Sequence, residues 1–137
     1  MTRKILCPTD GTDHSNIAVA HAADLAAKYG AELTLCVVNV AHGGAKGPLI
    51  PHWPEADVVA LLDAAQALAA QHGVAEARRV AIASREAAAG IVHHAEQNGY
   101  DHIVVGTGDK RGISRLMLGS VAADVMARAH CTVTVAR

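Results

Sequence analysis

The 137-residue chain has no phenylalanine, one tryptophan and two tyrosines. With so few aromatic rings it offers no stacking platform for single-stranded nucleic acid. Charge of one sign is also missing: 12 lysines and arginines stand against 13 aspartates and glutamates. No overall field therefore recruits DNA or anionic lipid. No apolar run reaches the roughly 18 to 20 residues of a membrane span. The opening MTRKILCPTD turns strand-like almost at once and lacks the core of a signal peptide. These absences predict a cytoplasmic protein with neither nucleic acid nor membrane as partner.

Cysteine is scarce. Cys7, Cys36 and Cys131 are odd in number, far apart and each within an apolar run. That pattern reads as reduced, buried thiols and not as disulfides or a zinc site. Cys7, near a strand end, is either inert or redox-active. The nine histidines show no HExxH or CxxC-like spacing, so no metal set is expected. A Walker A loop is absent as well. Gly106-x-Gly108-x-x-x-Gly112 is no dinucleotide fingerprint, because that motif follows a first strand and here only one helix and one strand remain.

What the chain does have is small apolar residues: 51% of it is hydrophobic, mostly alanine and valine. Short apolar runs alternate with segments of helical period, the pattern of βαβ units around a parallel sheet. The length suits one domain, residues 1–137. Strands are predicted over Lys4–Pro8, Leu33–Asn39, Arg78–Ala83 (at a sheet edge), Asp101–Gly106 and Thr132–Ala136. Helices are predicted over Ser15–Tyr29, capped by Asp13 or Ser15 and stopped by Gly30, then Glu55–His72, Ser84–Gln97 and Ser114–Ala129. Between them, Val40–Pro54 carries Gly43, Gly44, Gly47, Pro48, Pro51 and Pro54. Such a segment excludes regular structure and suggests a lid or a disordered connection. Trp53 within it anchors the loop, covers a ligand or sits at a dimer contact.

The most informative stretch is DHIVVGTGDKRGISRLMLGSVA, residues 101–122. A β-branched run ends in a glycine-rich basic turn that opens an amphipathic segment. Exposed amides at such a turn, beside a helix N-terminus, make an anion site. Gly106, Gly108, Gly112, Gly119 and Ser120 permit close backbone approach, and Lys110, Arg111 and Arg115 outweigh Asp109. The same residues also fit a plain βα connection on a basic surface. Parallel sheets bind ligands where strand order reverses, beyond the carboxyl ends. If the first strand is central, Asp10 and the glycine loop converge on one crevice.

Taken together, KILCPTDGTDHSNIAVAHAADLA, ELTLCVVNV and DHIVVGTGDKRGISRLMLGSVAADVMARAHCTVTVAR resemble the universal stress protein family over essentially the whole chain. The resemblance implies an α/β fold of the adenine nucleotide α-hydrolase-like kind. It has an open five-stranded parallel sheet in the order 3-2-1-4-5, helices on both faces, and homodimers through strand five. It also implies an adenine nucleotide as cofactor, ATP or another, with or without Mg²⁺. The family loop reads G-x2-G-x9-G-[ST]. Gly106 matches its first glycine and Gly119 with Ser120 its close, whereas the middle glycine falls on Asp109 and Gly108 stands one place early. A carboxylate there opposes a polyphosphate and favours a nucleotide with fewer phosphates, or a cyclic one.

By the same resemblance, Asp10 holds the nucleoside, Val38 meets adenine, and Pro8 and Thr9 line the mouth. Gly106, Gly108, Gly119, Ser120 and Val121 cradle phosphate with Lys110 or Arg111 beside it. From the residues alone, Asp10 is equally a turn or cap residue, Val38 core, and Ser120 an ordinary helix cap. The implied function is a nucleotide-binding regulator of the stress response. The alternatives are an interaction module that binds no nucleotide and works through its dimer surface, or a slow ATPase. Asp10, Asp13 and Asp109 show no spacing that marks a catalytic base, so no catalytic residue is assigned.

Overall fold

The computed structural model describes residues 2–108 and 118–137. In chain order the elements are β1 (Lys4–Pro8), α1 (Asp13–Tyr29), β2 (Glu32–Gly43), β3 (Leu49–Pro51) and α2 (Glu55–Gln71). They continue with β4 (Arg78–Ser84), α3 (Ala87–Gln97), β5 (His102–Gly106), α4 (Ser120–Arg128) and β6 (Thr132–Ala136). The parallel strands lie in the order β4-β2-β1-β5-β6. That is the expected arrangement, with β4 at an edge. A sixth strand, β3, was not expected and pairs antiparallel with the far end of β2.

Strand alternation sorts the core into two layers. Ile5 and Cys7 of β1, Leu33, Leu35 and Val37 of β2 and Val104 of β5 pack with α1 and α2. Leu6, Cys36, Val38, Ile103 and Val105 face the other way, onto α3 and α4. Period-2 side chains on strands apolar on both faces demand cover on both sides. Thr34, the polar exception on β2, is fully buried and accepts a hydrogen bond from the Tyr100 hydroxyl at 2.9 Å. Alanines on α1 (Ala18, Ala22, Ala23, Ala26) keep that helix close to the sheet.

Several boundaries differ from the sequence expectation. Thr12, not Asp13 or Ser15, caps α1, its hydroxyl accepting from the Ser15 amide at 3.3 Å. Gly30 closes that helix with a left-handed φ of 64°, as expected. Ser84 does not open α3; it pairs with Val40 at the end of β4, and its hydroxyl turns the chain by bonding to Glu86. Asp101 precedes β5, where its carboxylate accepts the Arg3 and Lys4 amides. Leu118 and Gly119 are not helical, so α4 begins at Ser120 among the described residues.

The largest correction concerns residues 40–54. β2 continues to Gly43, and Ala41, His42 and Gly43 pair with Pro51, Ile50 and Leu49. Gly43 and Gly44, with φ of 87° and 98°, supply the left-handed residues at which the chain reverses. Pro48 lies before β3 and Pro51 is its last residue, positions an edge strand tolerates, while Pro54 stands at the N-cap of α2.

Candidate functional site

At the carboxyl ends of β1, β2 and β5 lies a cavity of about 560 Å³, within the size range of small-molecule sites. β1 is central, so β2 and β5 define two ends. Val38, Val40, His42, His52 and Trp53, with Ala87 and Ile91 of α3, line the β2 end. Val105, Gly106, Gly108, Gly119, Ser120, Val121 and Ala122 line the β5 end, and Pro8, Thr9, Asp10, Thr12, His14 and Ser15 come from β1 and its turn into α1.

The turn after β1 is tightly wired. The Thr9 amide donates to the Cys36 carbonyl at 2.8 Å, extending the sheet. The Thr9 hydroxyl, buried, bonds to Ser15 Oγ at 3.2 Å. Asp10 Oδ1 accepts from Thr12 N at 3.0 Å and Thr12 Oγ1 at 2.7 Å. This holds the carboxylate at the cavity wall, and its Oδ2 accepts nothing from the described residues. Asp10 is thus a turn residue and a ready acceptor at once, so the two readings of it are compatible.

At the β5 end, close backbone contact replaces side chains. A Cβ on Gly106 would lie 2.4 Å from the His14 carbonyl oxygen, so β5 can end against α1 only through a glycine. Gly108 has φ +85°, and its Cβ would lie 3.0 Å from the Gly119 Cα. The Gly119 amide donates to the Thr107 carbonyl at 2.6 Å. That amide is therefore used in closing the loop and is not free to meet a ligand. Among the described residues no side chain caps α4, and its first backbone bond runs from Ala123 to Gly119. The amides of Ser120, Val121 and Ala122 lack intrahelical acceptors at a helix end of partial positive charge, beside the cavity.

At the β2 end, the hairpin forms one wall. Asn39 clamps Trp53 through both backbone groups: its side-chain amide donates to the Trp53 carbonyl and its oxygen accepts the Trp53 amide, each at 2.9 Å. The His52 amide donates to the Val40 carbonyl at 2.9 Å. The His52 and Trp53 rings meet edge to face with centroids 4.8 Å apart. Trp53 is thus both an anchor of the connection and part of the wall.

Of the residues expected to form the site, Pro8, Thr9, Asp10, Val38, Gly106, Gly108, Gly119, Ser120 and Val121 all border this cavity. Asp109, Lys110 and Arg111 lie outside the described residues. Sequence reasoning missed Thr12, His14 and Ser15, although they follow Asp10 directly. It also missed His42 and His52 as a wall, whereas Trp53 was read as a residue that could cover a ligand; the only cue to the hairpin was the Gly43-Gly44 pair between two short β-prone runs.

The cysteines do not serve the cavity. Cys7 and Cys36 are free and fully buried. Burial pushes the Cys36 thiol up to about 12 and raises that of Cys7 further, with Cys36 adding to the rise. Burial disfavours the reactive thiolate at both positions, which favours the inert reading of Cys7.

A doubly wound sheet with its crevice at the β1–β5 switch point defines the class of open, parallel α/β folds. Within that class, the family model for the universal stress protein family matches residues 1–137, and the chain belongs to this family. Universal stress protein MJ0531 of Methanocaldococcus jannaschii is 34% identical over 139 residues, covering 98% of this chain and 82% of the relative. A universal stress protein crystallised in complex with cAMP aligns with a TM-score of 0.76 at 25% identity, over 99% of this chain and 97% of that one. The universal stress protein of Archaeoglobus fulgidus in complex with dAMP has the same fold, with a TM-score of 0.69 at 19% identity over 100% and 98%.

Proposed function

We propose that this chain, as one domain, binds an adenine nucleotide in the cavity and acts as a cytoplasmic, homodimeric regulator of the stress response. The observation that carries the reading is the order of the walls. An apolar end on β2, a carboxylate after β1 and an uncapped helix end beyond β5 match base, ribose and phosphate in sequence. Val38 and Val40, with Trp53, would contact adenine. Asp10 Oδ2 would accept from a ribose hydroxyl. Gly108, by its close approach, and the amides of Ser120 and Val121 would take phosphate, with Lys110 or Arg111 adding charge. Relatives in complex with cAMP and dAMP support a nucleotide with one phosphate, and Asp109 argues the same way. ATP, with Mg²⁺ on its phosphates, is the weaker ligand in this reading.

In this reading the site binds its nucleotide, with at most slow hydrolysis of ATP. Asp10 is the one carboxylate among the described lining residues, and half of it is held by Thr12. The dimer would form through β6, which pairs only with β5 and leaves its outer edge open among the described residues. Free thiols agree with a reducing compartment.

Titration calorimetry on nucleotide-stripped protein with cAMP, AMP, ADP and ATP tests the reading. Binding of cAMP or AMP that is weakened at least tenfold in Asp10→Ala supports it. Absence of binding by all four at millimolar concentration overturns it and leaves an interaction module.

A further inference from the structure

Among the described residues lining the cavity there is no lysine and no arginine; the groups that can gain positive charge are His14, His42 and His52. His42 and His52 belong to the hairpin at the β2 end, their ring centroids 6.3 Å apart. His14 stands at the opposite end, in the first turn of α1. Its carbonyl lies directly under Gly106, where even a methyl group would collide, so its backbone is fixed against β5. Its Nδ1 lies 3.1 Å from the Thr107 hydroxyl, and Thr107 is the residue whose carbonyl takes the Gly119 amide. One hydrogen bond thus ties the ring to the closure of the glycine loop. Nε2 has no partner among the described residues.

We propose that His14 is an anion-recognition residue of this site, its protonated Nε2–H donating to the phosphate of the bound nucleotide. The inference rests on the proposed nucleotide site and adds to it a ligand-contacting side chain and a pH dependence. A hydrogen bond from imidazolium to phosphate is charge-assisted and stronger than one from the neutral ring. Binding of the anion therefore raises the His14 pKa. The added affinity is therefore present at acidic pH, where the ring carries its second proton, and is lost as pH rises and that proton leaves.

The ionisable groups that share the wall are few. Asp10 comes from the turn before α1, with Oδ1 bonded to Thr12; His42 and His52 come from the hairpin; the lining residues of β5, α3 and α4 add none. Asp13, next to His14 in the chain, is exposed and outside the wall.

Cyclic AMP is the suitable probe, because its phosphodiester carries one unchanging charge between about pH 5.5 and 8, whereas a phosphomonoester titrates near pH 6. Calorimetry should show cAMP binding about tenfold tighter at pH 5.5 than at pH 8. In His14→Gln the slope should vanish; in His52→Gln it should persist. A slope that survives His14→Gln, or disappears in His52→Gln alone, overturns the assignment. Equal affinity at both pH values in the wild type also overturns it and leaves the nucleotide site standing. No cAMP binding at either pH defeats the nucleotide site itself. Should His14→Gln fail to fold, NMR of the wild-type His14 ring decides: cAMP should raise its titration midpoint by about one unit, and an unmoved midpoint refutes the role.

Discussion

Gly108 and Gly119 meet backbone to backbone: a Cβ on the first would lie 3.0 Å from the Cα of the second. The contact brings the chain leaving β5 against the residue that opens α4. It places the uncapped amides of that helix at the cavity and leaves no room for a side chain on either partner.

Gly108→Ala should therefore both destabilise the protein and weaken ligand binding. The position has φ +85° and a close backbone neighbour, so strain and overlap add. A loss of about 1–3 kcal/mol is expected, seen as a lower urea midpoint with unchanged slope. Affinity for cAMP should fall with it. Wild-type stability in this variant would show that the two glycines do not close the loop.

Asn39→Ala should release Trp53. Two hydrogen bonds to its backbone are lost, at about 1–3 kcal/mol for partly buried groups left unpaired. Trp53 is the chain's one tryptophan, so its fluorescence reports the hairpin directly. The emission should shift to the red, and proteolysis within residues 43–51 should accelerate. An unchanged spectrum would mean that packing, and not the Asn39 clamp, holds the ring.

Acidification should lower stability through His102. The ring is buried, with Nδ1 3.1 Å from the Thr2 hydroxyl and Nε2 2.7 Å from that of Thr134. Desolvation lowers its pKa, opposed by Asp101 and aided by His21. Because the folded value is depressed, this group's contribution is complete above the unfolded value of about 6.5 and is lost as pH falls through the folded value. Denaturation midpoints should drop between pH 7.5 and 5.5, and less steeply in His102→Gln. An identical slope in the two proteins would remove His102 as the cause.

Thiol labelling should be ordered by burial. Cys131 is partly exposed, although desolvation first, then the Asp101 and Glu96 carboxylates, raise its pKa against a lowering backbone hydrogen bond. One slow equivalent is expected from the native protein, mapped to Cys131, and three after denaturation. Fast native labelling of Cys7 or Cys36 would contradict their burial in the sheet.

Much of the fold was legible because local burial writes itself into periodicity. β1, β4, β5 and β6 fall where apolar and β-branched runs occur, and the Gly30 stop is a local left-handed cap. The hairpin was not legible. Ala41–Gly43 and Leu49–Pro51 are too short and too exposed to show alternation, and their pairing is a cross-strand fact. Nor did Ser84 look like a strand end, since a serine before a helical run is also a common cap.

The sequence by itself determined an alternating α/β chain, its family, and a glycine-rich stretch after the fourth predicted strand, because each of these is carried by neighbours along the chain. Only the tertiary structure decided what shares the cavity. Val38, Asp10, His14, Trp53 and Ser120 meet there because β1 lies between β2 and β5 and the far end of β2 folds back on β3. Strand order and register are set by how whole faces pack, and no local run of residues encodes them.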